Sequence, residues 1–154
     1  MATIAFLGDL ALIGRYDLLV NKNVLLRLGA LKDELSEYDF VVGNLESPIT
    51  TIQKSLIPKS MHLRTDPINI KVLKYLGVDA VSLANNHAND FGSKGMKDTI
   101  KYLEDSGIEW FGANGKSLLT HIKGQLLSFS GYCCYSTNGT GYLNKISKRG
   151  IHPL

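Results

Sequence analysis

Short apolar runs alternate with amphipathic segments along most of the chain. Four apolar, β-prone runs predict strands, at residues 3–7, 40–42, 80–83 and 108–111. Three segments between them carry apolar residues at helical spacing and predict helices, over 23–37, from Asp66-Pro67 to Gly77, and from Ser93 or Gly95 to Gly107. A further strand is expected at 126–129, and a turn or loop rich in Gly, Thr and Asn at 136–141.

The alternation of strands and helices predicts an α/β fold with a largely parallel sheet covered by helices. No linker or internal repeat divides the sequence, so one domain over residues 1–154 is expected. Crossovers between parallel strands share one hand, and the carboxyl ends of the strands therefore lie along one edge. In open α/β sheets, ligands bind at that edge.

Composition and charge narrow the classes of protein that remain. Hydrophobic residues make up 44% and charged residues 20%, which excludes a disordered chain, a collagen and a coiled coil. The net charge of +3 comes from scattered lysines and arginines, so no nucleic-acid partner is expected. No apolar run is long enough for a membrane span and no signal peptide is recognisable. The neighbouring Cys133 and Cys134 form no disulfide framework, so a reducing, cytoplasmic location is expected.

Polar residues follow three of the predicted strands at their carboxyl ends. Asp9 follows the first, Asn44 and Glu46 the second, and the segment from Asn85 to Asp90 the third. Taken singly, these groups are also typical of a turn, the start of a loop or a helix cap. Together at one edge, they predict a site for a hard cation, because carboxylate and amide oxygens suit Mg²⁺ or Mn²⁺, and an imidazole extends the range to Zn²⁺ or Fe.

His87 and Asp90 have a separate predicted role in this site. The imidazole of His87 either ligates the metal or acts beside it as a general acid. Asp90, three residues later, either orients that imidazole or caps the helix that follows.

Three segments resemble the CapA family of poly-γ-glutamate capsule biosynthesis proteins, which is similar to the calcineurin-like metallophosphoesterases. They are Gly8-Asp9, the run from Gly43 to Pro48, and the run from Leu83 to Gly92. The resemblance implies the metallophosphoesterase fold of two β-sheets flanked by helices (α/β/β/α). It also implies a divalent metal held by Asp9, Asn44, Glu46 and Asn86, and His87 as the acid that protonates the leaving group.

The chain departs from the family pattern in two places. Ala11 stands where the superfamily has a histidine two residues after the first aspartate, and later histidine motifs are not found. The sequence therefore resembles the N-terminal half of a longer protein. Without the second sheet, one sheet face is expected to stay apolar, which favours self-association, for example as a homodimer.

Three functions remain open at this point. The first is metal-dependent hydrolysis of a phosphoester, with a phosphorylated or anionic small molecule or polymer as the substrate. The second is a non-catalytic accessory role in capsule or polyglutamate production, and the third is an α/β domain that binds a small anion at helix N-termini. Lys54, Lys59, His62 and Arg64 either reach an anionic substrate or, as the favoured interpretation, lie in a solvated loop.

Overall fold

A four-stranded parallel sheet forms the centre of the chain. The computed structural model describes residues 1–55 and 59–134, so the turn predicted at 136–141 lies outside the described residues. The strands follow one another across the sheet in the order β1, β2, β3, β4, and every neighbouring pair is parallel. This confirms the predicted α/β class. The bounds of the four strands are Ile4–Asp9, Phe40–Asn44, Ala80–Ser82 and Glu109–Phe111.

Alternate residues of the strands pack on opposite faces of the sheet, as the two-residue period of a strand requires. Val41 and Val81 belong to a core formed with the helices, whereas Val42 and Phe111 belong to a second core on the other face. All four helices contribute to the first core, so they lie on the same side of the sheet. Their bounds are α1 Val24–Arg27, α2 Gly29–Leu35, α3 Ile70–Tyr75 and α4 Gly92–Asp105.

The predicted helix signals at Asp66, Gly77 and Gly107 are confirmed. The side chain of Asp66 accepts a hydrogen bond from the backbone N–H of Ile68 at the start of a short 3₁₀ turn that leads into α3. Gly77 and Gly107 follow α3 and α4 with φ of +70° and +72°, a conformation that glycine adopts without a steric penalty.

The single helix predicted over 23–37 is wrong, because the structure contains two short helices there. They meet at Leu28, which has φ of −92° and ψ of 5° and lies outside both. Gly29 follows at once, and glycine weakens a helix interior. Each short helix buries its own apolar residue, Val24 in α1 and Leu35 in α2.

An antiparallel hairpin covers part of the second face of the sheet. Its strands are β5, Leu118–Ile122, and β6, Gln125–Phe129, and only the second was predicted. The turn residues Lys123 and Gly124 both have positive φ, as in the tight turns that suit hairpins. Phe129 stacks on Phe40 with ring centroids 5.4 Å apart.

The expectation of an uncovered apolar face therefore holds only in part. A groove of about 540 Å³ remains between the sheet and the hairpin, and Phe6 at its side is 72% exposed. In the described part of the chain, no helix has the length and apolar character needed to cross a bilayer.

Candidate functional site

The carboxyl ends of the first three strands lie side by side, as the sequence predicts. Asp9 is paired in register with Asn44, and Asn44 with Ser82. The backbone N–H of Leu10 donates to the carbonyl of Asn44 at 2.7 Å, so the chain leaving β1 stays beside the end of β2. Gly43 permits this close approach, because a Cβ at this position would lie 2.6 Å from Cδ1 of Leu10. The three polar groups therefore share one rim.

Asn44 and Asn85 connect the three strand ends through their side-chain amides. Asn44 Nδ2 donates to Asp9 Oδ1 at 2.6 Å, and Asn85 Nδ2 donates to Asn44 Oδ1 at 3.0 Å. Asn85 Nδ2 also donates to the carbonyl of Leu45 at 2.9 Å. Asn44 thus uses both polar atoms of its amide in this row, and its predicted role as a metal ligand stays a prediction.

Asn85 also fixes the turn that carries Asn86 and His87. Its Oδ1 accepts hydrogen bonds from the backbone N–H groups of His87 and Ala88, at 3.0 and 2.8 Å. Asn85 is 6% exposed, and it was not among the predicted ligands. The Asx turn of Asn85 could be recognised from the local sequence. Its bond to Asn44 could not, because the two residues are 41 positions apart in sequence.

Asp90 contacts His87 rather than the N-terminus of α4. His87 Nδ1 lies 2.7 Å from Asp90 Oδ2, whereas the residue that caps α4 is Phe91, without a side-chain cap bond. Lys59 Nζ donates to Asp90 Oδ1 at 2.7 Å, and the backbone N–H of Leu63 donates to Oδ2 at 2.8 Å. Asp90 is 1% exposed and therefore depends on these donors.

This environment determines which nitrogen of His87 carries the proton in the neutral ring. Asp90 forms an ion pair with Lys59, and a carboxylate in an ion pair only accepts hydrogen bonds. Nδ1 of His87 therefore donates to Asp90, and Nε2 is the nitrogen left to the rim. Nε2 lies 3.9 Å from Glu46 Oε1. The ring is thus held in one tautomer and one orientation.

The interpretation of Lys59 as part of a solvated loop is wrong. Its side chain is 20% exposed, and Nζ donates to the carbonyl of Asn86 at 2.7 Å in addition to Asp90. Arg64 in the same loop donates to the carbonyl of Thr50 at 2.9 Å. No sequence spacing distinguishes Lys59 from Lys54, because which of the two lysines reaches Asp90 depends on the path of the loop.

The donor set at the rim fits a divalent cation by its charge and chemistry. Asp9, Glu46 and Asp90 carry three formal negative charges, and Lys59 carries one positive charge, which leaves two negative charges. Among the described residues, the contact recorded for the Glu46 carboxylate is the 3.9 Å approach of His87, so this partly buried group keeps acceptor capacity.

The same donor set is sparse in strong ligands. Within residues 1–55 and 59–134, no group of three or more His, Cys, Asp or Glu side chains gathers in an arrangement that could hold a metal. A cation at this rim therefore requires neutral oxygens beside Asp9 and Glu46, and the predicted ligand Asn86 belongs to the turn that Asn85 fixes.

Known proteins similar to this chain were found among capsule synthesis proteins. The family model described as "Bacterial capsule synthesis protein PGA_cap" matches residues 3–148. The PGA biosynthesis protein CapA of Bacillus subtilis is 31% identical over 97% of this chain. The Capsule biosynthesis protein CapA of Bacillus anthracis is 37% identical over 51% of the chain and 20% of its own length.

A Mycobacterium tuberculosis protein named "Probable polyglutamine synthesis accessory protein" is 36% identical over 58% of the chain and 23% of its own length. The chain spans 41% of the length of the Bacillus subtilis relative. The matched residues include every predicted site residue, from Asp9 to Asp90. The chain therefore belongs to the bacterial capsule synthesis protein PGA_cap family, within the metallophosphoesterase-like superfamily.

Proposed function

We propose that this chain carries the divalent-metal site of a phosphoesterase that acts in the synthesis of a capsule polymer such as poly-γ-glutamate. The observation that supports the proposal is that Asp9, Glu46 and His87 follow adjacent parallel strands at the same edge of the sheet, in a set with two excess negative charges. The name of the Bacillus subtilis relative, a PGA biosynthesis protein, supports the biological process.

Asp9, Glu46 and Asn86 are the residues that would hold the metal, and Asn44 would join them if its amide turned away from Asp9. Oxygen donors favour Mg²⁺ or Mn²⁺, and His87 at the edge of the set would admit Zn²⁺ or Fe. A divalent ion supplies Lewis acidity and a more acidic bound water.

The protein's own residues supply orientation and a proton. Asp90 holds the ring of His87 through Nδ1, so Nε2 is presented to the rim, where a proton on it can be given to a leaving oxygen. Asn85 holds the backbone of the turn that carries His87. The substrate in this proposal is a phosphorylated or otherwise anionic small molecule or polymer.

Charge couples the metal to that substrate. Two excess negative charges at the rim repel an anion, and a divalent ion neutralises them. We therefore expect an anionic substrate to bind only after the metal, and chelation to remove both.

The decisive experiment measures hydrolysis of a bis-aryl phosphodiester and an aryl phosphomonoester by the purified chain with Mn²⁺, Mg²⁺ or Zn²⁺. The variants are Asp9→Asn and His87→Gln, and the matched control is Asp33→Asn, which alters an exposed carboxylate far in sequence from the rim. The proposal expects turnover above that of the metal alone, lost in both variants and kept in the control. Turnover that is unchanged in both variants would refute it.

A non-catalytic accessory role is the second candidate. Two observations favour it: no cluster of three or more strong metal ligands is found in the described part of the chain, and the mycobacterial relative is named an accessory protein. This role predicts no metal-dependent turnover, and it is abandoned if the chain alone hydrolyses either ester. We propose a cytoplasmic location for either role, because two neighbouring cysteines, Cys133 and Cys134, are not the spaced set typical of a secreted disulfide framework.

A further inference from the structure

We infer that Lys59 is a positioning residue, which holds the carboxylate of Asp90 and, through it, the ring of His87. The catalytic consequence rests on the proposed function, whereas the positioning itself does not. No sequence signal singles out Lys59, and its expected place was a solvated loop.

The contacts of the ammonium group support this role. Lys59 Nζ lies 2.7 Å from Asp90 Oδ1 and 2.7 Å from the carbonyl oxygen of Asn86. It also lies 3.4 Å from His87 Nδ1. One cation therefore forms hydrogen bonds with two residues of the turn that the proposed site requires, Asn86 and Asp90, and it reaches them from a different segment of the chain. Its approach to Nδ1–H of His87 joins two donors and adds no bond.

Two more residues near Lys59 in sequence, Ser55 and Leu63, contact the same aspartate. The hydroxyl of Ser55 donates to the carbonyl of Asp90, and the N–H of Leu63 donates to its carboxylate. Ile49 and Thr65 form a parallel bridge at the base of the loop, and Ile49 N–H donates to Thr99 Oγ1 in α4. The residues that flank this loop, Ile49 and Thr65, are therefore bonded to each other and, through Ile49, to α4.

The charge of Lys59 is needed because Asp90 is 1% exposed. Removing a carboxylate from water destabilises the fold unless the carboxylate is paired and hydrogen-bonded. Among the described residues, the lysine or arginine ion pair recorded for Asp90 is the one with Lys59. A neutral side chain at position 59 would leave the carboxylate with the Leu63 N–H and His87 alone, so the His87 ring would lose a fixed anchor.

The first test observes the ring of His87 without any reaction. The chain is labelled with ¹⁵N-histidine, and the His87 signals among the four histidines are assigned by their loss in His87→Gln. The inference expects a Nδ1–H proton that exchanges slowly with water in the wild type and at least about tenfold faster in Lys59→Met.

The matched control is Lys101→Met, which removes an exposed lysine paired with Asp105 on α4. It is expected to leave the exchange rate of the His87 proton unchanged. An exchange rate in Lys59→Met equal to that of the wild type and the control would overturn the inference, whatever the protein's activity.

A double-mutant cycle covers the case in which Lys59→Met fails to fold. Lys59→Met strands a buried charge, whereas Lys59→Met with Asp90→Asn removes both charges together. The melting temperature of the double variant is expected to exceed that of Lys59→Met, and Lys59→Met is expected to have no further effect on the His87 proton in the Asp90→Asn background. Additive losses in both measurements would contradict a role through Asp90.

If the chain hydrolyses a phosphoester, the same variants give a kinetic readout. Lys59→Met is expected to lower kcat with little change in KM, and to have no further effect on kcat in the Asp90→Asn background. Failure of the hydrolysis assay refutes the proposed function alone, since the ring-proton experiment still decides the role of Lys59.

Discussion

Asp9 and Asp90 are the same residue type at opposite ends of one polar row, and their surroundings differ completely. Asp9 is exposed and has a hydrogen bond from Asn44 to one carboxylate oxygen. Asp90 is 1% exposed and accepts from Lys59 and the N–H of Leu63, with His87 Nδ1 at 2.7 Å.

These surroundings indicate that the Asp9 carboxylate can bind a cation, whereas the Asp90 carboxylate can only orient its neighbours. A carboxylate has about four acceptor sites, and three donors leave Asp90 little capacity for a ligand. Asp9 keeps capacity and access to solvent, so it can accept a cation at small cost. We therefore expect substitutions of Asp90 to reduce mainly stability, and those of Asp9 mainly binding.

The largest effect is expected for Asp90→Asn. The amide cannot accept from all three donors, and it leaves the ammonium of Lys59 without its anion, so the free energy of unfolding should fall by about 3 kcal/mol. Urea denaturation measures this loss, with Asp105→Asn in an exposed pair as the control. Equal urea midpoints for Asp90→Asn and the wild type would contradict the proposed difference between Asp90 and Asp9.

Asn85→Ala is expected to rank second. It removes two donated and two accepted hydrogen bonds of a buried side chain, which should lower the free energy of unfolding by about 2 kcal/mol. Asn85→Asp keeps the acceptor for the turn but sets a carboxylate oxygen against the acceptors Asn44 Oδ1 and Leu45 O, so its thermal stability should fall below that of the wild type. If Asn85→Asp is as stable as the wild type, the bonds donated to Asn44 and Leu45 add nothing.

Asp9→Asn should weaken Mn²⁺ binding by about tenfold or more and leave the melting temperature almost unchanged, because a ligand charge is lost from an exposed position. Isothermal titration calorimetry gives the affinity, and Asp33→Asn serves as the matched exposed control. An affinity for Mn²⁺ equal in Asp9→Asn and the control would remove Asp9 from the proposed site.

The smallest effect concerns Asp39, a half-buried aspartate close to the surface. Its hydrogen bonds with the side chain of Lys123 and with Thr3 lower its pKa from 3.8 to about 2. A lowered carboxyl pKa stabilises the fold above the unfolded value, and this contribution is lost as the pH falls from 3.8 towards 2. Melting temperatures across this range should therefore fall less steeply in Asp39→Asn than in the wild type. Parallel curves would contradict the assignment.

The pKa of Asp79 is shifted in the opposite direction to that of Asp39. Burial raises its pKa, although a hydrogen bond from the N–H of Val41 counteracts the shift. The raised pKa means that this group favours the folded state at low pH and loses that contribution as the pH rises through its folded pKa. The contrast with Asp39 again follows from the surroundings of the carboxylate.

Much of the fold and rim could be predicted from local patterns. The four parallel strands, the cap at Asp66 and the helix ends at Gly77 and Gly107 each depend on residues close in sequence. β5 could not be predicted, because its apolar residues do not follow its alternating burial: Leu119 is exposed, whereas the polar Thr120 is partly buried. The break at Leu28 was missed, since the apolar spacing continues through it.

The sequence by itself determined that Asp9, Asn44 and the turn from Asn85 to Asp90 meet at one rim. It did so because each follows a short apolar strand, and parallel strands end together. Two contacts depend on the tertiary structure alone. Asp90 is buried against Lys59, 31 residues away, and the side chain of Asn85 donates a hydrogen bond to Asn44. The physical reason is that these contacts depend on the path of a loop and on which donors reach a buried acceptor, and no periodicity encodes either.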